Sequence, residues 1–389
     1  MADDLRAAPV VAEMTGWRRE FHAHPELGFD EHRTADRVAE LLTSFGVEVH
    51  CGIGGTGIVG ILQRGNGTRS IALRADMDAL PIAERPGPDH ASIRPGIMHA
   101  CGHDGHMAML LGAARVLATS GRFDGRVVFI FQPNEENGLG AQALLRDGLL
   151  DRFAFDQVYG IHNIPGMPVG TFATRPGPIT ASESLFEIAV EARGGHAALP
   201  HMGVDAITVG AEIVGALQTI VSRKLDPSVN GVVSVTRFET DGGRNILPGR
   251  ATLTGDARAL TPKINARIED RMRRIVEGIC LAHDVSGRVS YDVQFPATIN
   301  APDPTRAAVA AAIGTVGAAA VDTACPPKLF SEDFAHLAAA RPGCFVLIGN
   351  GIDGRSGQPL HAADYDFNDA ALGYGASFWV RLVEDALAG

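Results

Sequence analysis

Between residues 57 and 161 the chain repeatedly sets short, nearly unbroken apolar runs against helical stretches, and this alternation narrows the fold more than any other feature. The runs lie at 57–62, 70–74, 127–131 and 157–161, and helical patterns fall near 31–45, after Asp104 and over 138–146. A strand that is apolar throughout needs cover on both faces. The pattern therefore predicts an α/β domain with a central, mostly parallel sheet. From residue 185 the order changes to strand 185–192, helix 204–222, strands 232–238 and 250–258, helix 264–282 and strand 288–295. That is β-α-β-β-α-β, the α+β arrangement of a ferredoxin-like unit. Pro- and Gly-rich approaches at 163–168 and 175–178, and again near 295–304, read as hinges. Beyond them the α/β order resumes, with an Ala-rich helix from Thr305, a strand at 344–348 and a last helix from Asn368. The expected organisation is one α/β domain in two segments, 1–177 and 297–389, interrupted by a small domain at 178–296.

At roughly 150 residues per domain, 389 residues accommodate two to three domains. With 46% hydrophobic and 20% charged residues, disordered and collagen-like classes have no support. Thirty-four basic against 45 acidic residues leave a net charge of −11, so neither nucleic acid nor a membrane is an expected partner. Five widely spaced cysteines do not make a disulfide framework. The opening MADDLRAAPV lacks the basic and apolar segments of an export signal, which points to the cytoplasm.

Chemistry-bearing residues concentrate in loops. MHACGHDGH, residues 98–106, puts Cys101 and His103 one glycine apart at the mouth of a helix. Thiolate and imidazole are strong ligands for borderline transition metals. His99 and His106 stand open between function and helix-end packing. FQPNEENG, residues 131–138, carries the adjacent acids Glu135 and Glu136 after a buried strand. One acid of such a pair can hold metal while the other handles protons, but acids at a helix start also simply favour its dipole. His162 in GIHN, Asp76 and Asp78 in LRADMDALPI, and His361 in PLHAAD are further candidates past strands. In open α/β sheets such strand-end loops converge. Cys101, His103, Glu136, His162 and His361 together exceed the three protein ligands of one open catalytic site, so two metals sharing a ligand fit better, with Glu135 as base. His196, Asn245 and Arg258 in the inserted domain sit in or beside glycine- and proline-rich loops, which turn chemistry also explains. GIGGTG at 52–57 matches a dinucleotide fingerprint, yet a strand follows it, so it reads as a turn.

In order along the chain, RREFHAHPELG (18–28), LRADMDALPI, MHACGHDGH, FQPNEE, GIHN, GGHAALPH (194–201), NILP, SEDFA (331–335) and PLHAAD resemble the M20 metallopeptidase family. Within it they are most similar to the amidohydrolase branch of hippurate hydrolases, N-acyl-amino-acid amidohydrolases and indole-acetyl-amino-acid hydrolases. The resemblance implies a catalytic α/β domain carrying a lid that also forms a homodimer. It implies two divalent ions, manganese, zinc, cobalt or nickel, on Cys101, His103, Glu136, His162 and His361, with Glu135 as general base and Asp78 orienting the site. It further implies that His196 stabilises the oxyanion and that Asn245 and Arg258 meet the carboxylate end of a small N-acyl amino acid. A dipeptidase or aminopeptidase, or a non-catalytic metal-binding member, is the alternative. The chain departs from the family pattern at Asn134 and Asn137, where small residues or glycine are frequent, and at NILPG, where NVIPD is more usual.

Overall fold

A computed structural model of the chain describes residues 9–389; the first eight residues of the opening MADDLRAAPV, on which the export-signal expectation rests, lie outside the described part. The described residues form two compact units, one running to Ile179 and resuming over Ile299–Pro326 and Asp333–Gly389, the other comprising Thr180–Thr298 and Pro327–Glu332. The short second visit at Pro327–Glu332 has no counterpart in the sequence reading.

The first unit is built on an eight-stranded sheet. Its centre pairs Gly125–Gln132, Ser70–Asp76, Gln157–Pro165 and Gly343–Gly351 in parallel. The hairpin Glu48–Ile53 and Gly57–Arg64 adds antiparallel strands at one side. GIGGTG is the turn of this hairpin, as its following strand requires. Every residue of Ser70–Asp76 is buried, and Gly343–Gly351 is buried except at its last position, which explains their predominantly apolar runs. Helices Leu372–Ala386, Pro302–Val316, His103–Ser120 and Pro9–Ala23 contribute Trp379, Ala308, Leu110 and Met14 to one continuous core with Phe129 and Val346 of the sheet. Pro302 opens its helix at the first turn, where the missing N–H has no intrahelical partner to lose.

Other details differ from the sequence reading. The helix expected from Gly138 begins at Gly140, because residues 134–138 form a turn. The strand expected to end at Ile161 runs to Pro165, so His162 lies within it. Helix Pro9–Ala23 and strand Glu48–Ile53 escaped notice; the strand is largely exposed and carries no apolar run.

The second unit is a four-stranded antiparallel sheet in the order Gly231–Thr240, Arg250–Ala259, Ser182–Glu191, Ser286–Phe295. Its strands alternate buried and exposed residues, as expected for a sheet covered on one face. Helices Ala206–Thr219 and Pro262–Ala282 cover that face with Val209, Ile213, Ile268 and Met272 against Ile188 and Leu253. Asp205 and Thr261 cap these helices by accepting backbone N–H groups of Ile207 and Ile264. The β-α-β-β-α-β order is thus realised, with the Ala206–Thr219 helix continuing as a π-turn over Ile220–Lys224.

The first unit holds a buried ion knot. Arg18 is wholly buried; its Nε donates to Asp104 Oδ2 at 2.8 Å, and its other nitrogens reach Asp366, Asp369 and His90. His22, one turn further on, faces Asp104 at 2.8 Å and Glu84 at 3.3 Å. The knot ties the first helix to the start of the helix that carries His103. Burial alone lowers the His22 pKa, but hydrogen bonds to Asp104 and Glu84 overrule it and hold the imidazole up to about 9.

Arg18→Met leaves Asp104 with His22 as its remaining cation and breaks the links to Asp366 and Asp369; it is expected to cost about 3–5 kcal/mol in denaturant unfolding, and a change within error contradicts the assignment. His22 gains affinity for its proton on folding, so its contribution is complete below its ordinary value of 6.5 and disappears as pH rises through about 9. Melting curves across that window should fall more steeply for the wild type than for His22→Gln, and parallel curves would refute the charged pairing.

Candidate metal centre

The carboxyl ends of the central strands deliver the candidates to one place within the first unit. After Ser70–Asp76 the chain makes a long loop that returns through paired backbone bonds between Leu80 and Met98, each 3.0 Å. This return sets Cys101 at the foot of helix His103–Ser120. Gly102 between Cys101 and His103 is left-handed, with φ 92°. A Cβ there would lie 2.4 Å from Asn163 Oδ1 and 2.7 Å from the Tyr365 hydroxyl, so only glycine allows the two ligands to flank that turn. His361 arrives from the far end of the chain, and its N–H donates to the Ala100 carbonyl at 2.9 Å. Cys101 and His361 therefore share one site despite 260 positions between them.

Ligand atoms of Cys101, His103 and His162 lie within 4.8 Å of one another, as do those of Cys101, Glu136 and His361, and those of His103, Glu135 and Glu136. Cys101 Sγ is 3.4 Å from His162 Nε2, and Glu136 Oε1 is 3.5 Å from His361 Nε2 and 3.9 Å from His103 Nε2. The overlapping triads suit two cations with shared ligands. The fit has a direct sign. His103 Nε2 and Glu136 Oε1 are buried and make no hydrogen bond, a cost that a cation between them removes.

The surroundings turn each donor toward that space. His103 Nδ1 donates to the Asp78 carbonyl at 2.9 Å, and His162 Nδ1 to the Asn163 carbonyl at 2.8 Å, leaving both Nε2 atoms for metal. Asp78 also accepts the Glu136 N–H at 3.0 Å, so one acid orients two of the donors. His106, open in the sequence, bridges Asp76 Oδ1 at 2.6 Å and Asn163 Oδ1 at 2.7 Å. His99 is buried with no hydrogen bond at either ring nitrogen, and burial lowers its pKa to about 4.

Arg74, Gln132 and Asp333 were missed by sequence reasoning. Arg74 is a buried guanidinium binding Asp76 at 2.6 Å, Gln132 at 2.9 Å and Asp333 at 3.0 Å, and the Asp333 N–H reaches Glu135 Oε1 at 3.4 Å. The available signal was a charged residue inside an otherwise apolar strand, which is costly unless paired.

The site carries excess negative charge. Burial lowers the His103 pKa, but Asp76, Asp78 and Glu136 overcome it and push the imidazole up to about 10. Burial, with Glu136, Glu135 and Asp76 adding to it, holds the Cys101 thiol well above its usual range. Burial and neighbouring His106 keep the His162 pKa well below normal, so that its Nε2 lone pair is available. Without a cation the cluster retains protons, which a divalent ion would displace on binding.

His196, Asn245 and Arg258 belong to the second unit. His196, exposed on the short strand Gly195–His196, pairs with Ile246, and the Ala197 N–H donates to the Asn245 carbonyl, so His196 and Asn245 are neighbours. Arg258 is half-buried and engaged by Glu183 at 2.9 Å, Asp256 at 2.8 Å and Ser331 at 3.1 Å.

Metal uptake should release protons, with affinity rising from acid toward neutral pH. Calorimetric titration of chelated protein with manganese or zinc, in two buffers of different ionisation enthalpy, measures this; buffer-independent heats would contradict the site.

The model of peptidase family M20/M25/M40 matches residues 72–385. The chain is 38% identical to a hippurate hydrolase of Campylobacter jejuni over 382 residues, 97% of this chain and 98% of the relative. It is 34% identical to an N-acetyl-L-cysteine deacetylase of Bacillus subtilis over 364 residues, covering 93% and 86% of the two chains. Among solved structures, the Bacillus subtilis YXEP protein, described as a dinuclear metal binding peptidase from the M20 family, superposes with a TM-score of 0.86 at 29% identity, covering 97% and 98%. A match over most of the chain joins a site of matching chemistry: the protein belongs to the M20 metallopeptidase family and is a hydrolytic enzyme of its amidohydrolase branch.

Proposed function

We propose that the protein hydrolyses the amide of small N-acyl amino acids, giving a carboxylic acid and a free amino acid. The observation that carries this reading is the meeting of Cys101, His103, Glu136, His162 and His361 around two unsatisfied buried atoms, with Glu135 beside them. Two divalent cations held there, manganese, zinc, cobalt or nickel by the donor chemistry, supply Lewis-acid polarisation of the amide carbonyl and acidify the attacking water. Glu135 takes the proton from that water on a carboxylate oxygen and returns it to the departing amine nitrogen. Asp78 holds the His103 ring and the Glu136 backbone so that neither donor turns away.

The second unit supplies the remaining roles in this reading. His196 donates to the developing oxyanion, and Asn245 beside it meets the substrate carboxylate. Arg258 joins them by exchanging one of its acidic partners, Glu183 or Asp256, for the substrate. A homodimer through this unit is part of the proposal; strand Gly231–Thr240 lies at an end of its sheet with Phe238 exposed. The reading is of a cytoplasmic enzyme, where its five cysteines would stay as free thiols. No helix of the described residues is long and apolar enough to cross a membrane.

Glu135→Gln should lower kcat by about 100-fold or more while both metals stay bound; full activity would overturn the base assignment. A panel of N-benzoylglycine, N-acetylmethionine, N-indoleacetylalanine and unblocked dipeptides reads the substrate class. Faster cleavage of the blocked compounds is expected, and preference for free dipeptides identifies a dipeptidase instead.

A further inference from the structure

Glu135 leaves the backbone from a strained turn, and the device that holds this turn begins a hundred positions earlier. Asn134, the residue before the base, has φ 48°, a left-handed conformation that costs a residue with a side chain. Its N–H donates to Glu31 Oε1 at 2.8 Å. The other oxygen of Glu31 accepts the Thr56 hydroxyl, which comes from the hairpin turn GIGGTG. Glu31 is wholly buried at the start of helix His32–Ser44.

The Asn134 side chain is held as firmly as its backbone. Its Oδ1 accepts from Asn137 Nδ2 at 2.5 Å, and its carbonyl accepts the Gly140 N–H at 3.0 Å. The side chain fills the space over Gly28, where a Cβ would fall 1.9 Å from Oδ1. Asn134 and Asn137, the two departures from the family pattern, thus form one hydrogen-bonded pair. Beyond Glu135, the Glu136 N–H is fixed by Asp78 at 3.0 Å. The base is therefore bracketed by two buried acids, each gripping the N–H of a neighbouring residue.

We propose that Glu31 is a positioning residue for hydrolysis: by holding Asn134 in its left-handed turn it sets the direction in which the Glu135 carboxylate points. The inference rests on the reading of Glu135 as the base. Burial, moderated by the Thr56 hydrogen bond and reinforced by the charge of Asp78, pushes the Glu31 carboxyl up to about 7. A carboxylate kept in such surroundings is costly to the fold, in keeping with a role that a neutral apolar side chain does not fill. A base misdirected by about 1 Å loses on the order of 100-fold in rate without losing its substrate.

The test uses the full-length, metal-loaded protein and N-benzoylglycine, or the fastest substrate of the panel above. Glu31→Ala should lower kcat by about 100-fold with KM and the metal content unchanged. Glu31→Gln, whose amide oxygen accepts the same N–H, should recover most of the loss. In a Glu135→Gln background Glu31→Ala should cost nothing further, because the two act as a unit. Unchanged kcat in Glu31→Ala, loss of metal along with the rate, or an additive loss in the double variant overturns the proposal. Should Glu31→Ala not fold, Thr56→Val removes only one donor from Glu31. It is expected to lower kcat by a smaller factor that also vanishes in the Glu135→Gln background, and no change would overturn the proposal. An active Glu135→Gln enzyme sinks the reading of the base itself, whereas an inactive one beside a wild-type-like Glu31→Ala sinks this inference alone.

Discussion

Negative charge gathered at the ends of two neighbouring parallel strands, Ser70–Asp76 and Gly125–Gln132, is the constraint on which the rest of the site depends. Asp76, Asp78 and Glu135 are buried, and with the partly buried Glu136 they surround His103. Such a group is unstable without cations. Arg74 neutralises the lower part, toward the sheet, with one guanidinium shared by Asp76 and Asp333. The upper part holds its protons on His103 and Cys101, which makes it receptive to divalent ions. The charge that binds metal and the charge that stabilises the floor are thus divided between two layers of the same strand ends.

Rigidity around the site comes from hydrogen bonds between distant segments. His361 is tied to Ala100 through the backbone, Glu136 to Asp78, Asn134 to Glu31 and Asp104 to Arg18. The first two bonds join loop to loop, the third ties a loop to the start of helix His32–Ser44, and the fourth joins two helices. Loops placed in this way keep catalytic groups in register without being strands or helices themselves.

Much of this was legible in the residues. A candidate donor set could be assembled because metal chemistry restricts the donors to a few side-chain types, and because strand-end loops of an α/β sheet converge. The apolar runs identified the central strands, since burial on both faces leaves no polar alternation. Less visible was the support. Glu31 and Asp333 are ordinary charged residues in the sequence, with nothing in their spacing to tell that they are buried, and Arg74 stands out only as a charge within an apolar strand, its partners unstated. His106 and His99 look alike in MHACGHDGH, yet one bridges Asp76 and Asn163 while the other has no hydrogen-bond partner at either ring nitrogen. The acidic partners of Arg258, Glu183 and Asp256, are likewise invisible in the sequence, because they are brought to it by register between two strands.

By itself the sequence determined the two-unit α/β and α+β architecture and the kinds of atom able to hold metal, because both follow from local patterning and from side-chain chemistry. The tertiary structure alone decided which of those atoms meet, which nitrogen of each histidine faces the site, and how the turn bearing Glu135 is held. The reason is physical: a hydrogen bond between residues a hundred or more positions apart, such as that of Glu31 with Asn134, depends on the packing of whole elements, and no local stretch of chain encodes it.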